Sequence, residues 1–379
     1  MDYIYLDHAA TSPVHPDVVE AMVPYLTEHF GNPSSIHHFG RKTRQLLDEA
    51  RLVAAQSIGA TPNSIVFTSG GTEADNAALF GTALAKKETG RHIITSQIEH
   101  HAVLHACARL ESEGFEVTYL PVDETGRISL SELKAALRPD TIIVSIMYGN
   151  NEVGTLQDIA AIGELLEAHQ AVFHTDAVQA YGVLPIDVNE LKVDLLSVSS
   201  HKINGPKGVG FLYIREEVAL DPLLYGGEQE RKRRAGTENV AAIAGFKQAI
   251  SIMREEGMEK AARYEAYKQK MLSIFTEAGI TFLRNGEQEH TLPHVLNVSF
   301  PGVKTEILLV NLDLARIAAS SGSACTAGSL EPSHVLTAMF GKQNRTKEAV
   351  RFSFGLHNTM EEIEQAAQET AKIVKRLQK

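Results

Sequence analysis

Residues 64 to 85 read SIVFTSGGTEADNAALFGTALA, and this stretch decides the fold class. Ser64 to Thr68 has the length and apolar character of a buried strand, and Thr72 to Ala85 follows at once as a helix. The joint between them is Ser69-Gly70-Gly71-Thr72-Glu73. A short strand running straight into a helix is the unit of a parallel sheet, because a parallel neighbour requires a crossover that a helix supplies.

The same unit recurs outward from this point. His92 to Ser96 predicts a strand and His101 to Glu113 a helix; Glu116 to Pro121 and Thr141 to Met147 predict strands separated by a helix over Ser129 to Leu137. Helix Ile159 to His169 leads into strand Ala171 to His174, and Asp194 to Val198 is a further apolar strand. Upstream, Val18, Val19, Met22, Val23, Leu26 and Phe30 recur at helical spacing until Gly31-Asn32-Pro33 stops them. Downstream the pattern changes near Gly257. A helix over Met258 to Ala278 precedes strands His294 to Phe300 and Val350 to Phe354, and a last helix opens at Thr359 with Glu362 placed for a capping box. The expectation is an α/β chain with a large, mostly parallel sheet domain over 15–255. A smaller α+β domain is expected from 1–14 and 256–379. The gap between Asp221 and Asn239, rich in glycine and charge, is the one long region without clear elements.

Composition narrows the function classes. In 379 residues the formal net charge is −11, which argues against broad, charge-driven binding of nucleic acid. Arg231-Lys232-Arg233-Arg234 is a local exception, of the kind a solvated loop carries. The longest apolar runs are strand-sized and no signal peptide is visible, so a soluble cytoplasmic protein is expected. Two distant cysteines, Cys107 and Cys325, make neither a disulfide framework nor a metal set. Cys107 lies in a predicted helix among Val103, Leu104, Ala106 and Leu110, the setting of an inert core residue. Cys325 lies in a Gly/Ser-rich loop, where an exposed thiol is a liability unless it is used.

In an open parallel sheet, ligands gather beyond the carboxyl ends of the strands. Gly70, Gly71 and Thr72 stand there at a helix N-terminus, where free amides and the helix dipole favour a phosphate; alone, such a turn is equally an ordinary strand-to-helix joint. Asp176 ends another strand, either as a helix cap or as the partner of a protonated ring nitrogen. Lys202 follows the strand that ends near Ser199. A lysine desolvated in a cleft can form an imine with an aldehyde. One cofactor, pyridoxal phosphate, asks for all three.

At these residues the chain resembles the cysteine desulfurases of the class-V aminotransferase fold, the NifS/IscS-like group whose catalytic loop reads Ser-Ser-Gly-Ser-Ala-Cys. The likeness runs through Tyr5 to Thr11, Phe30 to Ser35, Thr68 to Glu73, Glu99-His100, Asn150-Asn151-Glu152, Asp176 to Gln179, His201-Lys202, Arg234 to Thr237, Ser320 to Cys325 and Arg351 to Ser353. It implies the aspartate-aminotransferase-like fold with a seven-stranded sheet, and pyridoxal 5'-phosphate held as a Schiff base on Lys202. It further implies that His100 stacks on the ring and assists proton transfer. Asp176 and Gln179 would meet the ring nitrogen and hydroxyl. Gly71, Thr72, Ser199 and His201 would hold the phosphate, with Thr237 reaching across from the second subunit of a homodimer. Asn151 and Arg351 would orient the substrate, Arg351 by a two-point grip on its carboxylate. The implied reaction converts L-cysteine to L-alanine. Its sulfur goes to Cys325 as a persulfide and then to an acceptor protein, for iron–sulfur cluster assembly or tRNA thiolation.

The chain ends at Lys379, shortly after its last helix. Members with a longer tail use it to dock an iron–sulfur scaffold, so the resemblance leaves that scaffold open as partner and brings in a dedicated thiolation partner as an alternative. Rival readings are a selenocysteine lyase, another aminotransferase or lyase of the fold, and a non-catalytic sulfur-transfer platform. The last would not need Lys202 or the phosphate contacts.

Overall fold

The computed structural model describes residues 3–322 and 332–378. The chain opens with β1 (Ile4–Tyr5), α1 (Pro16–Thr27) and α2 (His38–Gln56), then enters the alternating region. This comprises β2 (Ile65–Thr68), α3 (Gly71–Lys86), β3 (His92–Ser96), α4 (His101–Ser112), β4 (Glu116–Leu120), α5 (Leu130–Ala136), β5 (Thr141–Ser145), α6 (Ile159–Leu166), β6 (Val172–Asp176), β7 (Leu195–Ser199) and β8 (Gly210–Ile214). The remainder is α7 (Val240–Glu277), β9 (Leu283–Asn285), β10 (Val295–Ser299), α8 (Thr305–Leu314), β11 (Ile317–Ala318), α9 (His334–Phe340), β12 (Ala349–Ser353) and α10 (Met360–Leu377).

The seven-stranded sheet has the order β2-β8-β7-β6-β5-β3-β4. All neighbours are parallel except β8, which runs against both β2 and β7. The sequence pattern missed β8 because Gly210 to Ile214 follows a loop rather than a helix, so the strand–helix rhythm does not announce it. Every residue of β2, β3, β5, β6, β7 and β8 is buried, as both covered faces require. One face packs on α2, α6 and the first part of α7. The other packs on α3 and α4, where Cys107 lies fully buried with its thiol pushed up to about 12.

Helix α7 begins at Val240, well before the expected Met258, and the expected boundary near 255 falls inside it. Its residues from Ala242 to Ile252 join the core of the large sheet, whereas Tyr264, Tyr267, Met271 and Phe275 join a second core. That second core holds Ile4 and Leu6 of the N-terminal segment with residues of β10, β12, α8 and α10. Glycine and charge around Gly257 mask the continuity in sequence, but neither stops a helix whose two ends are each fixed by packing. Helix α10 starts with the capping box of Thr359 and Glu362.

Helix α1 differs from expectation in what its apolar face does. Val18 is buried, but Val19, Val23, Leu26 and Phe30 are exposed, together with Ile36 and Phe39 nearby. Among the described residues no helix is long and apolar enough to cross a membrane.

Candidate active site

The carboxyl ends of the parallel strands converge on a cavity of about 220 Å³. Its wall includes Gly71, Thr72, His100, Asn151, Asp176, Gln179, Ser199, His201, Lys202 and Arg351, residues drawn from positions 71 to 351 of the chain. Thr237 lies elsewhere, in a separate cleft beside Phe67, Gly208 and Glu230. Cys325 lies outside the described residues.

One end of the cavity is shaped for an anion. Gly70 has φ +147°, which an L side chain rarely adopts, and a Cβ on Gly71 would come within 2.8 Å of Val178 Cγ2. Glycine therefore lets the start of α3 approach the loop that follows β6, at the edge of the cavity. Ser199, which ends β7, lies beside this turn: a Cβ on Gly71 would come 3.6 Å from its Cβ. His201 is tied to Thr11 by a 3.1 Å contact between Nδ1 and Oγ1. Burial and the charges of Lys202 and Lys207 hold its pKa down to about 4.

Asp176 is the last residue of β6. Its Oδ1 accepts from the Val178 amide at 2.8 Å. Burial raises its pKa to about 6 despite that bond and the nearby Lys202. Behind it stands Asp75, buried on α3, whose carboxyl is pushed up by burial and by Asp176. Asp75 Oδ1 has no hydrogen-bond partner, and His174 Nε2 lies 3.6 Å from it. Burial and their mutual repulsion disfavour charge on this pair of carboxyls, and a protonated ring nitrogen beside Asp176 would offset that and favour its ionised form. Lys202 Nζ donates to the carbonyls of Ala9 and Ala10, the latter at 2.8 Å. Those carbonyls belong to the N-terminal segment, which crosses the sheet to reach the lysine.

His100 caps α4: its Nδ1 accepts from the Ala102 amide at 3.1 Å, so the neutral ring carries its proton on Nε2. Burial, then the charge of Lys202, lowers its pKa to about 4. The turn that presents it is held by Glu99. Glu99 is fully buried, accepts from Ser96 Oγ at 2.6 Å, and takes the Met147 amide at 3.0 Å on both oxygens. Burial outweighs those bonds and raises its pKa from 4.5 to about 8. A carboxyl with a raised folded-state pKa gives its full stability below the unfolded value and loses it as pH climbs through the folded one. Glu99→Gln has no proton to lose. Its stability relative to the parent is expected to improve between pH 5 and 8, by at most about 1.4 kcal/mol per pH unit. Urea unfolding of both proteins across that range tests this, and parallel stability curves would remove the raised carboxyl from the account.

Arg351 lies on β12, where Val350, Arg351, Phe352 and Ser353 are all buried. Val350 and Phe352 join the second core, whereas Arg351 between them lines the cavity. Arg351 Nη1 donates to Asn151 O at 2.8 Å and Nη2 to Asp7 Oδ1 at 2.7 Å. Nε is buried without a hydrogen-bond partner. Asn150 locks the turn beneath, with its Oδ1 taking the amides of Glu152 and Val153. Gln179 donates from Nε2 to Ala9 O at 2.9 Å, leaving its second N–H for the cavity.

Asp7 and Glu99 fall within motifs of the resemblance that assign them no role, and Asp75 lies outside those motifs. A buried-looking acid one helical turn after Gly71-Thr72 was the available signal for Asp75. Nothing in sequence signals the Asp7–Arg351 pair.

The glycine cradle at the start of α3, the unpaired buried Asp75 oxygen and a lysine amine share one cavity, and so fit a phosphorylated pyridine aldehyde. Lys202 would hold it, Asp176 would meet its ring nitrogen, and Gly71, Thr72, Ser199 and His201 would hold its phosphate.

A family model described as aminotransferase class-V matches residues 4–366. The chain is 61% identical over 378 residues to a putative cysteine desulfurase IscS 1 of Bacillus subtilis, covering 100% of both. It is 50% identical to a cysteine desulfurase IscS of Methanosarcina thermophila, covering 99% of this chain and 92% of that one. Among solved structures, a NifS-like protein matches with a TM-score of 0.93 and 36% identity over 99% of this chain and 100% of that one. With sequence, fold and cavity in agreement over nearly its whole length, the chain belongs to the class-V aminotransferase family, among its cysteine desulfurases.

Proposed function

We propose that the protein is a pyridoxal-phosphate-dependent cysteine desulfurase. In the overall reaction L-cysteine and the Cys325 thiol give L-alanine and a Cys325 persulfide, so atoms and electrons balance without an added oxidant. The carrying observation is that Lys202, Asp176, His100 and Arg351 share one cavity in a chain whose other cysteine is sealed in the core. A solved relative titled SspA in complex with cysteine, 37% identical over 94% of this chain and 100% of that one (TM-score 0.83), supports the substrate.

When bound, pyridoxal phosphate supplies an electron-poor ring that accepts an electron pair from the substrate's α-carbon. The residues divide the rest of the work. Arg351, held rigid by Asn151 and Asp7, meets the substrate carboxylate with its unpaired Nε and the outer edge of its guanidinium. Lys202 Nζ takes the α-proton and returns it, and His100 Nε2 assists on the other side of the cavity. Asp176, ionised beside the ring nitrogen, keeps that nitrogen protonated. Cys325 as thiolate attacks the substrate sulfur.

We assign Thr237 to the cavity of a partner subunit, because it lines a separate cleft and not the cavity of its own chain. The exposed row Val19, Val23, Leu26 and Phe30 supplies an apolar face for such a homodimer. The two hydrophobic cores support a large unit over 15–255 and a smaller one from 1–14 and 256–379, with α7 shared. The persulfide's receiver is an acceptor protein thiol, on an iron–sulfur scaffold or a tRNA-thiolating enzyme, in the cytoplasm.

The test is the absorption spectrum of the purified protein followed by an alanine assay on adding L-cysteine. One alanine per chain with a persulfide on Cys325 by mass spectrometry is the expected result. Bound cofactor without alanine would move the function to another amino acid.

A further inference from the structure

The segment that carries Cys325 joins the described residues at Gly322 and again at Pro332-Ser333, and both joints meet one carboxyl, that of Glu152. Ser333 Oγ donates to Glu152 Oε2 at 2.5 Å, and the same hydroxyl accepts from the Leu336 amide at 3.1 Å as the cap of α9. At the other joint Gly322 has φ +134°, and a Cβ placed there would run into the same Oε2. The backbone at Gly322 therefore lies directly against the Glu152 carboxyl, an approach that suits glycine alone.

Glu152 is fully buried, and its Oε1 has no hydrogen-bond partner, with His334 Nδ1 4.0 Å away. Burial raises its pKa, ahead of the Ser333 bond and the Arg351 charge, which lower it. A half-satisfied carboxyl in such a place is destabilising and calls for a role beyond filling space. Its backbone is held without the side chain: the amide donates to Asn150 Oδ1 at 2.9 Å, and the carbonyl accepts from Asn297 Nδ2 at 3.0 Å. The two joints are also tied to the cavity wall. Ser320 exchanges backbone bonds with Arg351, whose amide donates to Ser320 O at 2.7 Å and whose carbonyl accepts from Ser320 N at 3.2 Å. His334 Nε2 donates to the Glu99 carbonyl at 2.9 Å, in the turn that presents His100. Cys325 stands three residues after Gly322, a length of chain that spans at most about 11 Å.

We propose that Glu152 is a positioning residue for the Cys325 thiol, its carboxyl fixing both joints of the thiol-bearing segment against the turn that holds Arg351. The substrate carboxylate and the attacking thiol are thereby referred to one turn, 150–153, which sets the distance between them. Glu152 is not part of the cavity wall and acts only through the segment it holds. The inference rests on Cys325 being the group that takes the sulfur in the proposed reaction.

The test separates two steps of the cofactor-loaded, full-length enzyme. Exchange of the α-hydrogen of L-alanine in D2O, followed by proton NMR, needs the cavity and Lys202 but not the thiol. Persulfide formation on Cys325 after one addition of L-cysteine, followed by mass spectrometry, needs both. Glu152→Ala removes the carboxyl and keeps the backbone bonds. It is expected to exchange L-alanine as the parent does, while persulfide formation slows by about ten- to a hundredfold, the larger figure being what a misplacement of about 1 Å costs. Glu152→Gln keeps an acceptor for Ser333 and nearly the same shape, and is expected to restore the parent rate. If Glu152→Ala does not fold, Ser333→Ala breaks the same bond from the other side and should show the same split. Equal slowing of both steps overturns the inference in favour of a residue that merely supports the cavity. Persulfide formation at the parent rate in Glu152→Ala, or a Glu152→Gln variant as slow as Glu152→Ala, overturns it outright. Alanine formed from L-cysteine by Cys325→Ala overturns instead the proposed reaction, and the role of Glu152 with it.

Discussion

Cys325→Ala is expected to bind its cofactor as the parent does and to form no alanine from L-cysteine, a loss to the assay background. The reason lies in arithmetic on two thiols. Cys107 is fully buried in α4, and burial pushes its pKa up to about 12, so it is neither reachable nor ionised at neutral pH. No other cysteine exists in the 379 residues. Every residue assigned to the cofactor lies in elements distant in sequence from 325, so its removal leaves the cavity intact. Alkylation of the native protein by iodoacetamide should accordingly label one thiol per chain in the parent and none in the variant. Stoichiometric alanine from Cys325→Ala would refute attack by that thiol.

Lys202→Ala is expected to fold and to lose turnover by about 10³-fold, within the range general acid–base groups contribute. Nζ is held by two carbonyls of the crossing N-terminal segment, which set its position but are themselves anchored elsewhere. Ala9 N accepts no help from the lysine, since it donates to Ser353 Oγ at 2.8 Å. The variant therefore loses the amine without losing the segment. Removing the lysine also removes the charge that moderates Asp176, so the Asp176 carboxyl should titrate higher still. A small amine such as methylamine should restore part of the rate, because the cavity is open to a group of that size. Unchanged turnover in Lys202→Ala would take Lys202 out of the mechanism. Loss of folded protein, read by circular dichroism, would show instead that the lysine's bonds to Ala9 and Ala10 hold the segment in place.

Much of this was legible in the chain as written. The alternation from Ser64 to Val198 gave six of the seven large-sheet strands, because a buried parallel strand must be apolar throughout and its crossover helix must follow. Lys202, Asp176 and the Gly70-Gly71 turn were legible because strand ends are where such a sheet places polar chemistry. Each is a local signal, carried by a few consecutive residues.

What sequence alone determined is therefore the class of fold and the family, and with them the candidate residues for its chemistry. The tertiary structure decided the rest, since it depends on residues that only folding brings together. Asp7 and Arg351 are 344 positions apart, yet their ion pair aims the guanidinium. Asp75 matters only because α3 packs behind the end of β6. A local pattern records what a residue's own strand or helix needs. A buried charge or an unpaired nitrogen is defined by neighbours from other elements, and no window along the chain contains them.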